Sequence, residues 1–215
     1  MREGRMEADK LHYLKIPNAE GGRAEGVRMV YVLAGKPWID VFASFETARA
    51  VVEGKNPFKQ YPFVETPSGE HIYQTLAIMH HVGQGTSAWP ADPEALTRAL
   101  SVAMGGYDLY QAFGAFPADD VVAKQKFEER RLPQYFGALD EIYRTRDFAA
   151  GKSPCFADCI VREAVWWCAR RNDAARALFE EKQWLSAFKR RFDALPEIAA
   201  FLAKQAAARV QDDSL

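Results

Sequence analysis

Cys155, Cys159 and Cys168 are the only thiols in the chain, and a thiol does metal, redox or nucleophilic chemistry only with the right partners. Cys155 and Cys159 have i, i+4 helical spacing, but the second pair that a zinc site needs is missing, so small-residue packing is the reading. An odd number in one short segment does not build a disulfide framework; reduced thiols in a cytoplasmic protein are expected. His80-His81 invites a metal, yet adjacent helical residues point about 100° apart. No Cys or acid stands at ligand spacing, so no metal is expected. Tyr13 offers a phenol hydroxyl, although a tyrosine on a strand is by default an amphipathic core residue. Arg23 reads alone as a surface charge on a helix. Gln74-Thr75 reads alone as a helix start.

These residues need elements to hold them. Leu11 to Ile16 reads as a strand, followed by a turn-rich stretch, Pro17 to Gly22. Helical spacing of Val27, Val30 and Val32-Leu33 predicts a helix from Arg23 to Ala34, stopped by Gly35. Ile39 to Ala43 is a second strand and Glu46 to Val52 a helix. Phe63-Val-Glu65 and His71-Ile-Tyr73 flank a Pro/Gly turn as a hairpin, and Gln74 to Val82 returns to helix. The order β-α-β-α-β-β-α predicts a small α/β unit with a mixed sheet. Asp92-Pro93-Glu94 is a helix start, a capping Asp followed by Pro in the first turn. From there everything reads as helix: one through Leu96, Leu100, Met104 and Tyr107, one from Asp120 to Arg146 bent at Pro133, one through Ile160 to Cys168, then Trp184 to Leu195 and Glu197 to Val210. The expected division is a flexible N-terminus over 1–10, an α/β domain over 11–83, a linker over 84–91 and a helical domain over 92–215.

Composition removes several classes of function. With 28 Lys and Arg against 29 Asp and Glu, the chain lacks the basic excess of a nucleic-acid binder. The 48% hydrophobic content, with 14 Phe, 8 Tyr and 5 Trp among 215 residues, supplies a packed interior. No apolar run is long enough to span a bilayer, and the charged opening Met1 to Lys10 is not a signal peptide.

The segment Pro57-Phe-Lys-Gln-Tyr-Pro-Phe-Val-Glu65, followed by Ser68-Gly-Glu-His-Ile-Tyr-Gln-Thr-Leu-Ala-Ile78, resembles the glutathione-binding half of cytosolic glutathione transferases. The resemblance implies an α/β thioredoxin-like N-terminal domain plus an all-α C-terminal domain. It implies a cis bond at Pro62, backbone groups of Tyr61 pairing with the cysteinyl part of glutathione, and Gln74-Thr75 receiving the γ-glutamyl carboxylate. Lys10-Leu-His-Tyr13 and Gly22-Arg-Ala-Glu25 resemble the opening of the tyrosine-type classes, alpha and sigma especially. By that likeness Tyr13 holds the glutathione thiolate and Arg23 supports it. Leu132-Pro133, Phe156-Ala-Asp158 and Ala194-Leu-Pro-Glu-Ile198 fall in the family's order, so the likeness runs from about Leu11 to Leu202. Asp108 matches a position where an acid contacts glutathione on the other subunit, or it is a solvated helix charge. Arg49, Lys55 and Gln60 are candidates for the glycine carboxylate. Tyr107, Tyr110 and Phe113 line the electrophile pocket or pack the core, and Phe58 matches an aromatic key at a dimer interface.

In three places the sequence departs from this pattern. The run from Tyr13 to Arg23 is longer than in those classes, Cys155 stands where a capping threonine is usual, and Gly105-Gly106 sits inside a long helix. The glycine pair permits close backbone approach or a wider pocket. The implied activity is conjugation of glutathione, as substrate, to small hydrophobic electrophiles by a cytoplasmic, detoxifying homodimer. The alternatives are a non-catalytic module of the same fold, and a glutathione-dependent isomerase or peroxidase. Absence of a cysteine before Cys155 leaves no thiol at the strand-to-helix turn for a glutaredoxin-type exchanger.

Overall fold

The computed structural model describes residues 8–15, 22–115 and 119–212. Strand β1 (Asp9–Leu14) buries Leu11, His12 and Tyr13. It pairs in parallel with β2 (Trp38–Ala43) and antiparallel with β3 (Phe63–Glu65), which pairs in turn with β4 (His71–Tyr73). The sheet order is β2-β1-β3-β4. A parallel pair requires a crossover, and helix α1 (Arg23–Ala34) supplies it, ending at Gly35 with φ 63°, whose N–H closes onto the Tyr31 and Val32 carbonyls. Helix α2 (Phe45–Lys55) connects β2 to β3, and α3 (Thr75–Gly83) follows the hairpin.

The helical half begins with α4 (Pro93–Phe113), whose Asp92 cap accepts the Ala95 N–H at 2.8 Å. The expected single helix from Asp120 to Arg146 is instead three pieces: α5 (Val121–Lys126), a π-helical turn (Phe127–Arg131) and α6 (Leu132–Thr145). Pro133 has no N–H to donate and its ring would crowd the carbonyl four residues back. The wider turn just before it absorbs both problems without a simple bend. Helix α7 (Phe156–Arg171) runs through the centre and packs against both α4 and α1, joining the two halves. The sequence reading passed over α8 (Asp173–Glu181), which Asn172 caps by accepting the Ala175 N–H at 2.8 Å. Helices α9 (Gln183–Asp193) and α10 (Pro196–Asp212) complete the described chain.

The glycine pair has two different roles. A Cβ on Gly106 would meet methyls of Ile160 and Val161 at 3.2 Å, whereas one on Gly105 would meet nothing within 4 Å. Gly106 therefore lets α4 approach α7 closely. At the start of α7, Cys155 is an unusual cap, and Asp158 does most of the work. Its carboxylate, fully buried, accepts from the Cys155 and Ala149 N–H groups at 2.9 and 2.8 Å and from the Tyr143 hydroxyl at 3.1 Å. All three cysteines are free thiols in the core. His81 pairs with Asp9 at 3.0 Å and His80 packs edge-on to Trp89. No helix among the described residues is long and apolar enough to cross a membrane.

Candidate functional site

The Tyr13 side chain reaches from β1 to the start of α1, where its hydroxyl oxygen accepts the Arg23 backbone N–H at 3.1 Å. That N–H is one of the donors a helix start leaves without an internal partner. Gly22, at φ 56°, makes the approach possible: a Cβ there would lie 2.5 Å from the Tyr13 hydroxyl and 3.3 Å from that of Tyr110. Two phenols from different halves of the molecule thus converge on one glycine. Burial pushes the Tyr13 hydroxyl above its ordinary value, and the Arg23 N–H pulls the other way. Tyr13 is a neutral phenol at pH 7, its oxygen engaged as an acceptor and its proton available to donate.

Arg23 sends its guanidinium across to α4. It lies 5.4 Å from the Tyr107 ring and 5.5 Å from the Tyr110 ring, and it donates to Gln111 Oε1. Beyond Tyr110 the stack continues: the Trp167 ring lies 5.4 Å away, and the Arg171 guanidinium covers Trp167 at 3.4 Å. A small cavity sits at this junction. Arg23, Thr75, Met79, Tyr107, Tyr110 and Glu163 contribute to its wall.

On the rim of the α/β half, the Tyr61–Pro62 peptide is cis. The Tyr61 hydroxyl donates to the Ala48 carbonyl at 3.1 Å, which steadies the loop leading into β3. Gln74 adopts φ 68° directly before α3, and its amide donates to the Gln60 side chain at 3.3 Å. Thr75 is buried at the first position of α3.

The fold therefore brings Tyr13, Arg23, Thr75, Tyr107 and Tyr110 around one junction, with Gln60, Tyr61, Pro62 and Gln74 on the same domain. Arg49 lies apart, exposed on α2 in an ion pair with Glu53 at 2.9 Å. Lys55 is held by Glu65 at 3.0 Å. Asp108 is exposed on α4, and Phe113 packs edge-on to Phe127 at 5.6 Å, outside the cavity wall. Of the turn-rich stretch before α1, residues 16–21 lie outside the described residues, as do residues 1–7 of the expected N-terminal tail. Sequence reasoning missed Gln111, Trp167, Arg171 and Glu163. Of these, only Glu163 had a local signal, an acid beside the apolar run Ile160-Val161 and Ala164-Val165.

Comparison with known proteins places this geometry in context. Residues 107–205 match the family model "Glutathione S-transferase, C-terminal domain". A glutathione S-transferase of Antechinus stuartii is 27% identical over 191 residues, covering 85% of this chain and 84% of its own. Glutathione S-transferase 3 of Gallus gallus is 29% identical over 192 residues, covering 85% and 81%. Monomeric Na-GST-3, a glutathione S-transferase from the hookworm Necator americanus, has a similar fold. It superposes with a TM-score of 0.77 at 20% identity, over 92% of this chain and 97% of its own.

Proposed function

We propose that this chain is a glutathione S-transferase that conjugates the glutathione thiolate to small hydrophobic electrophiles, as a tyrosine-type, sigma- or alpha-like enzyme. Its likeness to the C-terminal-domain family model over residues 107–205 and to curated glutathione S-transferases at 27–29% identity supports the reading. The observation that carries this reading is the Tyr13 hydroxyl, held by the Arg23 N–H at the junction of the two halves. A thiol with a pKa near 8.5 is only a few per cent ionised at pH 7. A neutral phenol donating to sulfur favours the charged form and raises that fraction.

In this reading Tyr61 and Pro62 present backbone to the cysteinyl part of glutathione, and Gln74 and Thr75 receive the γ-glutamyl carboxylate at the start of α3. Gln60, beside Gln74, is assigned to the glycine end. Tyr107 and Tyr110, which line the cavity, are assigned to the electrophile. Asp108 reaches across to a second subunit's glutathione, which makes the working form a homodimer in the cytoplasm.

Calorimetry with glutathione followed by a panel of electrophiles tests the assignment. Saturable binding with glutathione consumed in the product supports a transferase. Binding without turnover selects a non-catalytic module, and product formation that leaves glutathione unconsumed selects an isomerase.

A further inference from the structure

Glu25 closes the Gly22-Arg-Ala-Glu25 segment, and the transferase reading gives it no task. It lies on α1 and is 2% exposed. Its Oε2 holds the Arg28 guanidinium at 3.0 Å, while its Oε1 meets no hydrogen-bond partner among the described residues. A buried carboxylate oxygen left without a donor is costly. Glu25 is also part of the wall of a second cavity, of about 240 Å³, to which α1, α7, α9 and α10 all contribute. Among the described residues, this cavity shares no wall residue with the one at Tyr107 and Tyr110.

The other walls decide what fits. Arg162 donates to Asp193 at 2.8 Å, and Lys189 donates to the same carboxylate. Lys189 Nζ also stands 4.3 Å from the centre of the Trp166 ring. The charges on the wall, Glu25 and Asp193 against Arg162 and Lys189, cancel. An ammonium or a carboxylate entering here would give up its water without meeting a net opposite charge. A hydroxyl is neutral and has one proton to donate, which an orphan carboxylate oxygen can accept. Leu202, Ala206 and the Trp166 ring supply apolar wall. A cavity of about 150 Å³ is enough for benzene, and drug-sized sites begin near ~300 Å³, so the room is for one substituted ring. We propose that this cavity binds a small phenol, its hydroxyl donating to Glu25 Oε1 and its ring lying against Leu202 and Ala206. The site is separate from the one assigned to glutathione and stands whether or not the transferase reading holds.

The test is calorimetry of the full chain with four one-ring probes: para-cresol, para-fluorotoluene, benzylamine and benzoate. Para-cresol should bind at least about tenfold more tightly than para-fluorotoluene, the scale of one hydrogen bond to a charged acceptor. Benzylamine and benzoate should both bind more weakly than para-cresol. Ala206→Trp, a change at an exposed position of α10, should fill the cavity and weaken para-cresol by more than about tenfold, leaving glutathione conjugation unchanged. Glu25→Gln should weaken para-cresol and leave para-fluorotoluene as it was; if that variant does not fold, Ala206→Trp and the wild-type ranking decide. Equal affinity for para-cresol and para-fluorotoluene overturns the proposal, as does tighter binding of either ion. Para-cresol affinity unchanged in Ala206→Trp puts the phenol elsewhere and overturns it too. No binding at millimolar concentration leaves the cavity to water and ends it.

Discussion

Tyr13 shows how one hydroxyl can be committed from both sides. Its oxygen takes the first free N–H of α1, so removing it costs the helix start a partner and the sulfur a donor, with little change in volume. Tyr13→Phe should leave glutathione affinity nearly intact and lower the conjugation rate, with the pH–rate profile moving upward. Each pKa unit of thiolate stabilisation lost corresponds to about 1.4 kcal/mol. An unchanged profile would make Tyr13 a core residue. The sequence could point to Tyr13, Arg23 and Thr75 because each sits in a short motif whose members are neighbours in the chain. It could not foresee that Arg23 turns toward Gln111 and Tyr107, or that Trp167 and Arg171 extend the stack from Tyr110. The Arg23 contacts and the Tyr110–Trp167 stack join residues more than fifty positions apart, which local spacing does not record, while Arg171 covers Trp167 from four residues along the same helix.

At the level of elements, boundaries marked by their own chemistry were readable. Helix α1 starts and stops where Arg23 and Gly35 predict, and the hairpin strands match the reading residue for residue. The π-helical turn before Pro133 was not foreseen, and the short α8 was passed over although its Asn172 cap and the Asp-Ala-Ala-Arg-Ala-Leu-Phe run are a local helix signal. The glycine pair in α4 gives a direct contrast. Gly105→Ala should stabilise the protein by about 0.5–1 kcal/mol through helix propensity. Gly106→Ala should fall short of that gain or reverse it, because its methyl meets Ile160 and Val161 at 3.2 Å. Equal denaturation midpoints for the two variants would contradict the close helix approach.

The sheet makes a pH prediction of its own. His12 is buried, and loss of solvent followed by the nearby Lys55 lowers its pKa from 6.5 to about 4. Its ring stacks on Phe63 at 4.3 Å. Between those values the unfolded chain binds more protons than the folded one, so stability falls as pH drops from 6.5 toward 4. Hydrogen bonds from Lys10 and Lys55 hold Glu65 at about 2, so its contribution is present above 4.5 and is lost as pH falls toward 2. His12→Gln should flatten the upper part of this acid loss and leave the lower part. Urea midpoints collected from pH 7 to pH 2 check it, and an unchanged slope between pH 6.5 and 4 would remove His12 from the account.

For the molecule as a whole, α7 and Arg23 join the two halves into one site, and an exposed aromatic remains to be explained. Phe58 is 58% exposed, just before the cis bond at Pro62. An aromatic anchor inserted into a partner would bury it. Phe58→Ala should therefore shift a sedimenting dimer toward monomer. A wild-type monomer at micromolar concentration would reject the homodimer, and an unaffected dimer would reject only Phe58 as its anchor. The central claim, that this site ionises glutathione, has a more direct test. The full chain is saturated with glutathione and the thiolate absorbance is followed against pH. The midpoint should lie at least one unit below that of free glutathione, a stabilisation of about 1.4 kcal/mol or more. A midpoint equal to that of free glutathione would contradict the account.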